Sequence, residues 1–330
     1  MTTLDTILAQ PRPDTDAMRE RIVALAALLP AVGDPADADA LLALLRMLYR
    51  IGRADLPLAR LFEGHVDACQ IVARYGGADT VADDALGVWN AALAGEPLRV
   101  EDGRLIGGKA YASGAGTLTH ALAGADTPQG NRLVLIDLAA SSPAIDRDWW
   151  RTLGMQRSHT HLVRWHGAPP DTFRFIGAPG DYAREPWFSG GALRFVAIHA
   201  GGVAALFDQV RDHLIAAARA DDPHQSTRLA SLYGLAQSAA STVRATAQAW
   251  GTEDEAYPAR VSAARLAVTD AAERAIVLAQ AAVGLPGMFA DHPLSTTIAD
   301  LTVYLRQPAP DAQGMRVARA CADGLLVPAL

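Results

Sequence analysis

Lysine is nearly absent from this sequence: of its 29 basic residues only Lys109 is a lysine, and the rest are arginine. With an excess of alanine this points to a GC-rich bacterial genome, but it also singles out Lys109 as a place where a compact ammonium is kept. Cysteine is scarce as well. Cys69 and Cys321 are the whole complement, which excludes a disulfide framework and predicts a reducing compartment. A basic excess is missing too. The 36 acidic residues outnumber the basic ones and leave a net charge of −7, opposite to the footprint of a phosphate-backbone binder, so nucleic acid is not expected as a partner. Apolar runs such as Ile22 to Leu29 stop well short of the roughly 20 residues of a membrane span, so no membrane is expected either. The segment from Met1 to Glu20 carries Asp5, Asp14 and Asp16 and lacks the basic start and apolar run of a signal peptide, which predicts a cytoplasmic location.

Several chemical signatures are also missing. There is no Walker loop, no Gly-x-Ser-x-Gly elbow and no Cys-x-x-Cys pair. Gly114-Ala115-Gly116 opens like a dinucleotide fingerprint, but position 119 is Thr119 and no acidic residue follows at the required place. His159 and His161 would share one face of a strand with His166 nearby, yet a third ligand at suitable spacing is lacking and no metal is expected.

What is present is a chain of 330 residues, half of them hydrophobic and a fifth charged, long enough to bury a core without staples. Its texture changes twice. Up to about Tyr75 the period is helical: Leu41, Leu44, Leu45, Leu48 and Ile51 form one stripe, capped by Asp34 or Asp37, and Leu58, Leu61, Phe62, Cys69 and Val72 form the next. His65 falls on that second stripe, either as a hydrogen-bonded core residue or as a pocket wall. Between Leu86 and Tyr182 short runs bounded by glycine, proline and aspartate predict strands at 86–90, 104–112, 132–138, 160–165 and 172–176. Helical stripes return after Pro186, with Gly201-Gly202 inside the first and close helix contact as the compensation for placing glycine there. Trp149-Trp150 and Trp187-Phe188 read as packing at module joints, and the tail from Pro308 onward is loosely patterned. The expected fold is α+β in three modules: an N-terminal α-helical domain (1–84), a middle β-barrel-like domain (85–185) and a C-terminal helical bundle (186–330).

Residues Gly107 to Gly114, reading Gly-Gly-Lys-Ala-Tyr-Ala-Ser-Gly, resemble the Gly-x-Lys-x-Trp-Ile-Thr-Asn strand of the acyl-CoA dehydrogenase flavoproteins, and the module order resembles that family over nearly the whole chain. The resemblance places Lys109 on the motif lysine, Tyr111 on the tryptophan that lies against the isoalloxazine, and Ser113 on the threonine whose hydroxyl reaches flavin N5. Leu86 to Asn90 stands where the family writes Tyr-x-Val-Thr-Glu, so Trp89 and Asn90 would meet the pyrimidine ring, with Trp89 in place of threonine. Gln280 to Gly284, followed by Pro293 and Asp300, is similar to the Gln-x-x-Gly-Gly element that approaches the FAD of a neighbouring subunit. The resemblance therefore implies FAD, a small-molecule substrate such as an acyl-CoA, and a homodimer or homotetramer.

The family's catalytic glutamate would fall on Pro308, and its alternative position on Leu193; neither residue can take a proton. Asp311 is the nearest carboxylate and the candidate base. The implied function is an acyl-CoA dehydrogenase-like, FAD-dependent oxidoreductase of the CH-CH type. The alternatives are a flavin-dependent monooxygenase or oxidase on the same scaffold, or a degenerate, non-catalytic relative.

Overall fold

Aspartates placed just ahead of apolar stripes start several of the helices. Asp14 accepts the Ala17 N–H at the start of α2 (Thr15–Ala26), Asp37 accepts the Ala40 N–H at the start of α3 (Ala38–Ala54), and Asp222 accepts from His224 and Gln225 at the start of α7 (Pro223–Gln248). Of the two candidate caps for α3, Asp37 fills the role, while Asp34 pairs with Arg74. The computed structural model describes residues 3–29, 34–76, 84–251, 255–306 and 309–328. The chain divides into two units, one of Met1–Asp34, Arg60–Thr152 and Gln156–Arg184, the other of Pro35–Ala59, Leu153–Met155 and Glu185–Leu330.

The first unit contains α1 (Leu4–Leu8), α2, the larger part of α4 (Leu56–Tyr75) and a mixed sheet. Its strands are β1 (Leu86–Trp89), β2 (Arg99–Glu101), β3 (Arg104–Ala112), β4 (His120–Thr127), β5 (Gly130–Asp137), β6 (Ala144–Asp146), β7 (His161–Ala168) and β8 (Phe173–Ile176), with a single turn of helix, α5 (Leu138–Ser141), after β5. Seven of the eight strands run in the order β6-β7-β3-β2-β4-β5-β8, and the eighth, β1, lies parallel to β4, Trp89 opposite Ala123. The apolar face of α4 closes one side: Ala68, Cys69, Ile71 and Val72 pack with Leu86, Leu122, Leu133, Leu135 and Ile176. β4, which the sequence reading leaves out, is a fully paired strand. Its run Ala121-Leu122-Ala123-Gly124-Ala125 has no β-branched residue, and burial against β1 and β5 overrides its local preference.

The second unit is helical. α6 (Trp187–Ala216) runs through its middle and packs against α3, α7, α8 (Tyr257–Val283) and α9 (Pro293–Tyr304). α6 is long and apolar enough to cross a membrane by length and composition, and 78 % of its most apolar stretch is buried among other parts of the protein. Close approach is built from glycine: a Cβ on Gly201 would lie 2.2 Å from the Tyr49 carbonyl oxygen, and one on Gly52 would lie 2.7 Å from the Ile198 oxygen. The contact that Gly201 permits is thus made to α3 of the same chain. Residues Leu153–Met155 join this unit through α9, where the Asp300 carboxylate accepts the Met155 N–H and Gly154 leaves room for the Ala299 backbone. The loosely patterned tail is helical as α10 (Pro310–Ala322), started by proline in its first turn and tied to α8 by the Ser262–Gln313 hydrogen bond.

Glycine in a helix costs about 1 kcal/mol relative to alanine, so the two kinds of helical glycine should respond oppositely. Gly201→Ala is expected to destabilise by roughly 2 kcal/mol or more through overlap with Tyr49. Gly234→Ala in α7, where nothing lies within 4 Å, is expected to stabilise by up to about 1 kcal/mol. Urea unfolding of the two variants beside the wild type reads both signs.

Candidate functional site

β3 ends in a distortion. Its pairing with β7 shifts between Lys109 and Ala112, and Tyr111, inside the shift, has φ +52. A bulky residue in the left-handed region is strained and must be held there by its surroundings. The bulge turns the Tyr111 ring out of the sheet to 57 % exposure, where its edge meets Trp149 at 4.9 Å and Trp150 at 6.5 Å. The tryptophan pair read as joint packing in the sequence is therefore one half-exposed aromatic cluster with Tyr111. Lys109, two residues earlier, is 4 % exposed, and burial pushes its ammonium down to about 8 against the opposing pull of Asp126.

Ser113, just past the strand, is fixed from three directions. The buried Trp89 indole donates to the Ser113 carbonyl at 2.8 Å, the next amide, Gly114 N–H, donates to the Ser158 carbonyl at 2.8 Å, and the Thr160 hydroxyl donates to Ser113 Oγ at 3.0 Å. The only polar atom of Trp89 is thus spent inside the protein, with Trp165 beside the ring. Asn90 Oδ1 accepts the Gly124 N–H at 2.7 Å and ties the end of β1 to β4. Its amide nitrogen has no hydrogen bond among the described residues. Ser113 lines a narrow crevice with Arg60, Leu61, Gly64, Gly87, Val88 and Leu118. Leu118 fits against Gly87 and Gly114, where a Cβ would lie 2.5 and 2.6 Å from its side chain, and also borders an open cleft of about 570 Å³. Arg19, Thr119, His120, Asp137 and Ser142 bring polar groups to that cleft.

The remaining sequence candidates sit elsewhere. His65 is a core residue: its Nδ1 accepts the Leu86 N–H at 3.2 Å, Cys69 Sγ lies beside the ring, and burial pushes the imidazole down to about 4. The buried Cys69 thiol is pushed up to about 12 and is inert as a nucleophile. His159 precedes β7 with φ +43 and meets Thr15 through Nε2, so it does not alternate with His161 along a strand. No group of potential metal ligands occurs among the described residues.

In the second unit, Gln280 is exposed in the last turn of α8, and Gly284 ends that helix with φ +74 and ψ −153, a conformation open to glycine alone. No atom lies within 4 Å of where its Cβ would be, so backbone shape is what requires glycine there in this chain. Asp311 is exposed in the first turn of α10, a favourable place for a negative charge beside a helix start. Leu193 is fully buried, and Pro308 lies outside the described residues.

No protein-family model and no curated protein matches the sequence. Solved structures do match in fold. KijD3, in complex with FMN and dTDP-3-amino-2,3,6-trideoxy-4-keto-3-methyl-D-glucose, superposes with TM-score 0.72 and 20 % identity over 95 % of this chain and 86 % of that one. Dibenzothiophene monooxygenase TdsC from Paenibacillus sp. A11-2 gives 0.74 and 17 % over 93 % and 90 %, and butyryl-CoA dehydrogenase from Megasphaera elsdenii gives 0.75 and 14 % over 92 % and 89 %. The chain has the acyl-CoA dehydrogenase-like fold. At these identities the likeness carries the fold alone.

The His65 environment has a measurable consequence. Unfolded histidine takes its proton near pH 6.5, folded His65 only near 4, so between these values the unfolded chain binds more protons and stability falls as pH falls. His199, buried in α6 near Arg265 and pushed down to about 3, adds to the same loss. Across pH 6.5 to 4 the His65 share amounts to roughly 3 kcal/mol. His65→Gln is expected to lower the slope of stability against pH by about one proton in that window. An unchanged slope would mean that His65 is charged in the folded protein.

Proposed function

We propose that this chain is a flavin-dependent oxidoreductase whose flavin is held at the end of β3. The observation that carries the reading is the Ser113 hydroxyl: its oxygen accepts from Thr160, its own proton has no acceptor among the described residues, and two residues before it Tyr111 holds an exposed aromatic ring on strained backbone. An oriented O–H next to an aromatic face suits a heteroaromatic ligand with acceptor atoms along its edge. Asn90, whose amide nitrogen has no hydrogen bond among the described residues, offers a second donor, beside Gly124 of β4. A bound flavin supplies the electron transfer, and the protein's part is to bind, orient and exclude water. FAD is the form that Gln280 and Gly284 would serve; KijD3 and TdsC have both been solved with FMN. The mass of the cofactor extracted from the purified protein separates the two.

Within that class, a monooxygenase or oxidase is favoured over an ordinary acyl-CoA dehydrogenase. Removal of a proton from the α-carbon of an acyl thioester needs a positioned base worth about 10² to 10⁴ in rate. Leu193 is apolar and buried, and Asp311 is exposed in the first turn of α10. The open cleft beside Leu118, to which Arg19, Thr119, His120, Asp137 and Ser142 bring polar groups, is the proposed place of a small organic substrate.

The purified protein is expected to be yellow or to turn yellow with added FMN or FAD. Ser113→Ala should weaken flavin binding by roughly tenfold, the weight of one hydrogen bond of about 1.4 kcal/mol. Straight-chain acyl-CoA substrates should give no appreciable dehydrogenation with an artificial electron acceptor. A protein that stays colourless and takes up neither flavin would leave the non-catalytic reading in place of this one.

A homo-oligomer is proposed as well, with a second copy covering the end of α8. Around Gln280 and Gly284 the side chains of Val277, Leu285, Met288 and Phe289 are exposed, Leu285 to 74 % and Phe289 to 60 %. Such grouped apolar exposure is characteristic of an interface. Light scattering should give a dimer or tetramer mass, and Phe289→Glu should shift it toward the monomer.

A further inference from the structure

Ser158, Thr160 and Ser113 are all buried, and their hydroxyls stand in series: 2.8 Å from Ser158 Oγ to Thr160 Oγ1 and 3.0 Å from Thr160 Oγ1 to Ser113 Oγ. Each hydroxyl owns one proton and can accept two hydrogen bonds. Thr160 donates to Ser113, so its proton is spent, and toward Ser158 it can only accept. The series consequently has a direction. It runs from Ser158 through Thr160 to Ser113, and the proton left over is the one on Ser113.

We infer that Thr160 and Ser158 are positioning residues of the proposed flavin site, holding the Ser113 hydroxyl as a donor toward the ligand. The inference rests on the reading of Ser113 given above. A serine hydroxyl without such a partner rotates among staggered positions and can present a lone pair as readily as a proton. One that already accepts a hydrogen bond has a preferred orientation and is polarised into a better donor. The backbone keeps the series in register, because Gly114 N–H donates to the Ser158 carbonyl and Ala115 N–H to the His159 carbonyl. Thr160 and Ser158 lie two residues apart just ahead of β7, outside the stretch that resembles any flavin motif.

FMN binding and the visible spectrum of the bound flavin test the inference. Thr160→Val keeps the shape and removes the donor. It should bind FMN about five- to tenfold more weakly than the wild type and shift the flavin band, while Thr160→Ser should restore both. Ser158→Ala should move the band in the same direction with a smaller loss, about threefold. Wild-type affinity and spectrum in Thr160→Val, with Ser113→Ala impaired, would overturn the positioning role and leave Ser113 as the flavin contact. Wild-type behaviour in Ser113→Ala overturns the flavin reading of Ser113 itself, and the positioning role with it. Should Thr160→Val fail to fold by circular dichroism, Ser158→Ala decides alone: a shifted band supports the series and an unshifted one overturns it.

Discussion

A single hydrogen bond ties the packing of the strand-rich unit to its candidate site. Trp89 enters the core from β1, and its indole N–H has to be satisfied there, since a buried donor without a partner costs about 1–3 kcal/mol. The acceptor it finds is the carbonyl of Ser113, at 2.8 Å. Packing the largest side chain of β1 thereby sets the position of the peptide just after β3. From that peptide follow the Gly114 amide to the Ser158 carbonyl, the hydroxyl series through Thr160, and the crevice lined by Leu118. A tryptophan stands where the resemblance expects a threonine, and its indole N–H braces the Ser113 peptide from within the core.

The helical unit depends on a different constraint, the closeness of backbones. Gly52 and Gly201 face opposite sides of the same α3–α6 contact, and each has a backbone atom of the other helix where its Cβ would be. Burial by small residues yields less apolar area per residue than leucine, so such a contact relies on many atoms in close range. Alanine in α6 and α8 continues this packing: Ala197, Ala200, Ala204, Ala264, Ala272 and Ala275 are all buried. The composition that looks like a genomic bias is therefore also a packing material.

Much of the architecture is legible in the sequence because its signals are local. Asp37 and Asp222 mark helix starts, the stripe through Leu41, Leu45 and Leu48 marks a buried face, and turn residues bound β3 and β5. β4 is not legible, since alanine, glycine and one leucine carry no strand preference and the pairing with β1 and β5 is a long-range fact. α10 escapes for a related reason: its single buried residue, Ala320, makes no stripe. At the site, Tyr111 and Ser113 are found through a motif, but the partners that give them a role are not. Thr160 is 47 positions from Ser113, and Trp149 is 38 from Tyr111. Neither distance has a sequence signature.

The strain at Tyr111 completes the physical picture. A left-handed tyrosine costs about 1–3 kcal/mol, and the fold keeps it although a regular β3 would pair fully with β7. A regular strand, however, would point residue 111 along one face and displace Ser113 by half a pleat, away from the carbonyl contact with Trp89. The bulge lies where the aromatic ring turns outward at Tyr111 and, two positions on, the Ser113 hydroxyl turns inward to Thr160. Buried Lys109 lies at the last regular position before the shift, paired with Val163, so the register upstream is anchored where the distortion begins. The strain at Tyr111 is thus held between the buried anchor at Lys109 and the contacts that fix Ser113, in a strand paired with β7 on one side and β2 on the other.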